Sequence, residues 1–255
     1  MDDDLQHAQA SVDWAKSNLP TFQKRLNAWL HDNVRLAIRH QPSDVPNDVV
    51  VTEEKEPLPL SFQVEAGIYL NAIRSSLDIL AYSLANRHCQ TFKDDAYFPI
   101  AASAAIFISG KGFKGYKFVQ SLPAKERGII ESLKPYKGKA GNNTLCALHD
   151  LDILRKHARL LSVDTTTPRI FVVSGSRNAL DAFIPIHGGW ARTGTGPNET
   201  TIGLIVKNAP HKPHIKFTPQ ICLTETDYFP RREVITTLRE FASLANSIIN
   251  LFDFS

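Results

Sequence analysis

Apolar residues recur at three- and four-residue intervals through Leu5, Ala8, Val12, Ala15, Leu19, Phe22, Leu26, Trp29 (or Leu30) and Val34. That is the spacing of one helical face, and it predicts helix over residues 3–40. Pro20 falls inside the run. It has no amide hydrogen and its ring crowds the preceding turn, so a kink or a pair of helices is expected there. QPSDVPND, residues 41–48, is turn chemistry. DVVVTEE then has the β-branched content of a strand. In EPLPL each proline disfavours helix at the residue before it, which predicts an extended connector.

The clearest helix covers residues 62–88, where Ala66, Leu70, Ile73, Leu77, Leu80 and Leu84 form one apolar stripe. Asn71, Arg74 and Asp78 form a polar stripe beside it, with Tyr82 one turn on. Residues 89–120 read as mixed loop with YFPI as a short extended piece. A shorter helix follows at about 123–133, started by Ser121 or Pro123. KPYKGKAGNN reads as a loop, and Asn143 or Thr144 is positioned to cap the helix carrying LHDLDILRKHARLL, residues 148–161. After Val163, RIFVVSG, DAFIPIH, TTIGLIV and HIKFTPQICLTE read as four strands. SGSRN, GGWARTGTGPNE and KNAPHKP separate them as turns. Residues 231–252 return to helical spacing.

Short connections between the late strands imply antiparallel pairing. The expected architecture is α+β: a single domain, 1–255, with an antiparallel helical bundle packed on a small antiparallel sheet of about five strands. Its parts are N-terminal helices over 1–40, a helical core over 62–163, strands over 168–225 and a C-terminal helix over 231–252. The strand at 48–54 is expected to join the later four.

Composition narrows the class. The chain is 43% hydrophobic and 22% charged, the balance of an ordinary soluble globule. Cys89, Cys146 and Cys222 cannot all pair and lie far apart in sequence, which points to a reducing compartment rather than a disulfide scaffold. MDDDLQHAQA is acidic and polar, unlike a signal peptide. The longest apolar stretches are too short for a bilayer. The expectation is a cytoplasmic protein without a membrane partner. Charge is uneven: the whole chain is +3, yet residues 111–139 carry eight bases against only Glu126 and Glu131. Such a surface attracts an anionic partner.

Wound at 100° per residue, LHDLDILRKHARLL places Leu151, Leu154, Ala158 and Leu161 on one side. Asp152, Arg155 and Arg159 form a polar stripe flanked by Lys156 and His149. His157 falls roughly opposite, near Ile153 and Leu160. Two readings stay open. The stripe is solvated and His157 is a core or interface residue. Alternatively, Asn71, Arg74 and Asp78 face Asp152, Arg155 and Lys156 across a helix pair. Arg74 precedes Asp78 by one turn, the less favourable order for an isolated helix. A buried network or an anion site explains the pair better.

Arg74-Ser75-Ser76-Leu77-Asp78, Phe98-Pro99-Ile100, Lys134-Pro135-Tyr136 and Arg155-Lys156-His157-Ala158-Arg159 follow one another over residues 62–163. This order resembles a bacterial family of uncharacterised proteins whose motifs run Arg-Ser-Ala-Leu-Asp-His, Phe-Pro-Ile, Gln-Pro-Tyr and Asp-Lys-His-Arg. That helical core is similar to HEPN domains (higher eukaryotes and prokaryotes nucleotide-binding). Active HEPN ribonucleases carry an Arg followed four to six residues later by a His. Here Ile79 occupies the histidine position and Arg155 the aspartate position.

The resemblance implies an RNA-directed protein of a defence or toxin type, working as a homodimer, with ribonuclease as the activity if there is one. Arg74, Asp78, Lys156 and His157 would form the catalytic site, with His149 as an alternative imidazole. The competing expectation is a non-catalytic protein that binds a small anion or a protein partner and oligomerises through its long terminal helices.

A second candidate is GKGFKGYKFVQ, residues 110–120. Lys111, Lys114 and Lys117 alternate with Phe113, Tyr116 and Phe118, as cations and stacking rings do in single-strand binders. Lys111, Lys114, Tyr116 and Lys117 are the expected nucleic-acid contacts. The bland reading is a basic loop with its aromatics on the core. No Gly-Lys-Ser/Thr opens a helix here, so no phosphate-binding loop is read. His187, His211 and His214 lack a metal-ligand pattern, and Ser174 and Ser176 lack a nucleophile elbow. No cofactor and no metal is expected.

Overall fold

The N-terminal spacing is realised as one helix, α1 (Asp3–Asn33), which runs through Pro20 as a single element. The computed structural model describes residues 3–88, 96–173, 182–186, 198–209, 213–224 and 231–252. These form two units, each drawn from separate stretches of chain. The first comprises Met1–Phe22, Leu60–Val163 and Leu223–Ser255, and the second Gln23–Pro59 and Asp164–Cys222.

The first unit is helical. From α1 it buries Leu5, Ala8, Val12, Ala15, Leu19 and Phe22, the residues the spacing marks as one face. Trp14 and Phe22 both stack on Tyr69, at centroid distances of 5.2 and 5.4 Å. Tyr69 belongs to α2 (Leu60–His88), whose predicted stripe from Ala66 to Leu84 is fully buried. Two short helices follow, α3 (Ala104–Ser109) and α4 (Gly115–Ser121). The mixed loop expected over 89–120 is therefore corrected at these two helices; residues 89–95 lie outside the described residues. Six or seven residues make too few turns to display a period, although Ser103 caps α3 and left-handed Gly110 ends it. α5 (Ala124–Ser132) and α6 (Asn143–His157) complete the core. The α6 cap is Asn142, one residue before the predicted position, with Leu145 N–H donating to its side chain at 3.0 Å. α7 (Val234–Asn250) packs against α2 and α6.

The second unit is built from strands. β1 (Val34–Arg39), β2 (Asn47–Glu54), β4 (Phe183–Pro185) and β5 (Glu199–Val206) form an antiparallel sheet of order β1-β2-β5-β4. β3 (Val163–Val173) lies beside β6 (His214–Leu223) in a second sheet. This corrects two expectations. Residues 34–39 are strand, not the end of a 1–40 helix. Val34 fits the helical series, but Val34 and Leu36 also alternate with Arg35, and the arginines find partners only across a sheet. Arg35 Nε lies 2.6 Å from Glu53 and Arg39 Nη2 3.0 Å from Glu53, and Arg39 also pairs with Glu199. The strands also divide between two sheets instead of forming one of about five. β2 does join a late strand, β5. It thereby closes the second unit between stretches that precede and follow the helical core.

The second unit's core is Val50, Phe183, Ile202 and Ile205, with Leu36, Ile170 and Ile215 against it. Gly203 sits in β5 opposite Pro185, and a Cβ there would lie 2.3 Å from the Phe183 ring. The missing side chain is what lets that ring cross the strand. The tips SGSRN and most of GGWARTGTGPNE, together with Cys89, Ser174, Ser176, His187 and His211, lie outside the described residues. Among the described residues, no helix is long and apolar enough to cross a membrane.

Gly203→Ala forces the Phe183 ring aside. It is expected to cost about 1–3 kcal/mol in urea unfolding, the usual penalty of an overpacked core. The added Phe183→Leu change recovers part of that loss.

Candidate functional site

Arg74 is only 3% exposed. A buried guanidinium needs acceptors for its donors, and three elements supply them. Nη1 donates to Asp78 Oδ1 at 2.6 Å, one turn along α2. Nη2 donates to the Phe98 carbonyl at 3.4 Å. Nε donates to His149 Nδ1 on α6 at 3.3 Å. Asp78 also accepts the Phe98 N–H at 3.0 Å. The Arg74–Asp78 pair thus grips both polar groups of one peptide residue and pins the 97–100 segment to the helix pair.

A second network lies beside it. Buried Asp152 takes Lys156 Nζ at 2.6 Å and Arg155 Nη2 at 3.4 Å. Arg155 Nη2 also donates to Asn71 Oδ1 on α2 at 2.9 Å. The arginine stem passes close over α2 at Gly67, where a Cβ would fall 2.6 Å from Arg155 Cδ. The two polar stripes read from the sequence therefore touch through Asn71 and Arg155, while Arg74 reaches His149 and Asp78 the Phe98 peptide.

Between these networks opens a cleft of about 380 Å³. Arg74, Asp78, Lys156 and His157 all line it, joined by Lys114 and His149. Tyr97, 64% exposed, stands at its edge. The four expected catalytic residues are thus together, but their freedom differs. Arg74 is buried and donates to three partners within the fold. Lys156 is paired and half exposed. His157 is exposed, contrary to the expected apolar company, because α6 ends at that residue and its neighbours Ile153 and Leu160 are themselves exposed. Arg159 lies beyond the helix end and donates to Ser162 Oγ, so it leaves the predicted stripe. Ile79 is half-buried and does not line the cleft.

Of the basic stretch, Lys114 reaches the cleft, while Lys111 and Lys117 are exposed away from it. Its aromatics turn inward. Phe118 is buried, Phe113 packs on Phe107 at 5.8 Å, and Tyr116 lies against Gly110, lining a separate cavity. Sequence reasoning did not select Tyr97 or Phe98 as site residues. The signal was present in YFPI, but nothing local shows that Asp78 and Arg74 would bind Phe98's backbone.

Burial, and then the Arg74 charge, hold His149 below the usual histidine range, against the opposing pull of Asp150, Asp78 and Asp152. An arginine Nε only donates, so His149 Nδ1 must accept and the ring proton sits on Nε2. A neutral His149 offers the cleft a donor, not a base. Cys146 is buried and its thiol is pushed up to about 11 by burial and by Asp150, which makes it a poor nucleophile. Among the described residues, no three His, Cys, Asp or Glu side chains cluster closely enough to hold a metal ion. Compared with protein-family models, curated proteins and solved structures, the chain shows no match in any of the three.

Asp78→Ala leaves Arg74 buried without its counter-charge. It is expected to lower unfolding stability by about 3 kcal/mol, with Asp78→Asn losing less because it still accepts a hydrogen bond. Urea midpoints of the three proteins check this.

His149 titrates lower in the folded chain than at its ordinary value of 6.5. Below that value the unfolded chain therefore binds more protons. The stability that neutral His149 supplies is full above about pH 6.5 and is lost as pH falls through the folded value. His149→Gln keeps an acceptor for Arg74 and removes this dependence, so its midpoint-against-pH curve is flatter on the acid side.

Proposed function

We propose that the chain binds single-stranded RNA, taking a backbone phosphate in the first unit's cleft on a HEPN-like helical core. The observation that carries this is the pairing of exposed cations with an exposed ring. The exposed cations Lys114 and Lys156 line the same cleft as the His157 imidazole, and Tyr97 stands at its edge. The cleft's carboxylates are matched by other cations, so they leave Lys114 uncancelled. Asp78 is neutralised by buried Arg74, and Asp152 faces both Arg155 and Lys156. What remains toward solvent is net positive, as a phosphate requires, and Tyr97 offers a face on which a base stacks. Residues 111–139 carry eight bases, of which Lys114 reaches the cleft.

A second reading, RNA cleavage, is favoured by two imidazoles in one cleft. His149 and His157 are eight residues apart on α6, about 12 Å along its axis. Concerted acid and base groups must both reach one reacting centre, and His149 is held as a donor by Arg74. Binding without turnover is therefore the stronger reading, and it agrees with Ile79 standing where the resembled ribonucleases carry histidine.

Fluorescence titration of an RNA octamer across a salt series tests this. Retention falls with salt, and Lys114→Ala lowers the slope of log K against log salt by about 0.7, the loss of one phosphate contact. Tyr97→Ala weakens binding by about 1–3 kcal/mol with the slope unchanged. A salt-independent or absent interaction refutes the reading and leaves a small-anion or protein-binding role. Cleavage that disappears in His157→Ala would establish turnover.

A further inference from the structure

A smaller cavity of about 270 Å³ is walled by the rings of Phe107, Phe113, Tyr116 and Tyr136. It falls below the range of drug-sized sites and suits one planar ring system. The walls are set firmly. Phe107 lies 5.8 Å from Phe113 and 5.7 Å from Tyr136, centroid to centroid. Gly110, at φ 70°, seats Tyr116: a Cβ there would lie 2.4 Å from the ring. Gly115 does the same for Phe113, at 2.9 Å. Among the described residues, Gln120 from α4 and Glu131 from α5 join the rings in the lining, and both are exposed. Phe113 lines both this cavity and the cleft, so the two share a wall.

We propose that this cavity is a base pocket selective for guanine, holding a base of the strand whose phosphate occupies the cleft. The proposal rests on the RNA reading above. A carboxylate only accepts hydrogen bonds. Guanine alone among the four bases presents two adjacent donors, N1–H and N2–H, which match the two Glu131 oxygens. Its O6 accepts from the Gln120 amide. Adenine and cytosine set an acceptor nitrogen beside their amino group, and uracil sets its single N–H between two carbonyls. Each therefore turns a lone pair toward the carboxylate. The rings supply the stacking that splayed bases use in single-strand recognition. The position of Glu131 also argues for this role. It is one of two acids in a segment with eight bases. Against phosphates it would repel, whereas a guanine edge is where a nucleic acid offers donors to an acid.

The test uses the full chain and its Glu131→Gln variant, with guanosine, adenosine, and three octamers of uridine carrying one central guanosine, inosine or adenosine. Guanosine is expected to bind saturably, followed by NMR shifts of the Tyr116 and Tyr136 rings, and adenosine at least tenfold more weakly. The guanosine octamer should bind about tenfold or more tightly than the adenosine octamer. Inosine, which lacks the 2-amino group, falls between them, a comparison that needs no protein variant. Glu131→Gln should erase the preference, so that the guanosine and adenosine octamers bind alike.

Octamers held without base preference, and guanosine no better than adenosine, would overturn the pocket and leave the RNA reading intact. Guanosine bound through Glu131 with no octamer retained would overturn the RNA reading and the link between pocket and strand. No binding of either kind would overturn both.

Discussion

The first unit's site depends on a buried guanidinium. Arg74 lies where water cannot solvate it, so its donors must be met inside the protein. The acceptors come from α2 itself through Asp78, from the 97–100 segment through the Phe98 carbonyl, and from α6 through His149. Three elements distant in sequence are thereby held around one charge. The cleft is the space left beside that junction, and its walls are the residues next to the clamped ones. Losing Asp78 does not merely remove a bond; it leaves a buried charge without its counter-charge, which is far more costly than losing a surface ion pair.

That constraint also divides the labour among charged residues. Arg74, the residue most suggestive of phosphate chemistry, is spent on the fold. Its bond to His149 fixes that ring's proton on Nε2 and keeps the ring neutral, so an apparent catalytic pair becomes a positioning device. Asp152 similarly absorbs Arg155 and most of Lys156. Among the described residues, the cleft keeps Lys114, His157 and Tyr97 exposed, together with Lys156 beside its partner Asp152. The glycines of the basic stretch follow the same logic. They make no phosphate loop; Gly110 and Gly115 are small so that Tyr116 and Phe113 can turn inward and build a cavity wall.

Much of this was legible from pattern alone where a residue's role follows from its nearest neighbours. The apolar stripes of α1 and α2 are buried as their spacing requires, and Asn71 meets Arg155 of the α6 stripe while Arg74 reaches His149. Residues 34–39 were not legible, because Val34 satisfies the helical and the strand period alike. Their state is decided by Glu53 and Glu199, partners on other strands. α3 and α4 were too short to show a period. His157 was misplaced because a helical wheel assumes the helix continues, and α6 stops at that residue.

Periodicity, turn chemistry and composition determined by themselves that this is an α+β chain with long amphipathic helices, late antiparallel strands and a basic segment at 111–139. Those are properties of local spacing, and local spacing is written in consecutive residues. Tertiary structure alone decided that the strands split between two sheets, that Arg74 is a clamp, and that Lys114 reaches the cleft while Lys117 does not. It alone put Glu131 and Gln120 at the edge of an aromatic cavity. Each of these depends on which groups a buried polar atom or a ring finds across the fold. Burial makes those partners obligatory, but only the packed chain specifies which they are.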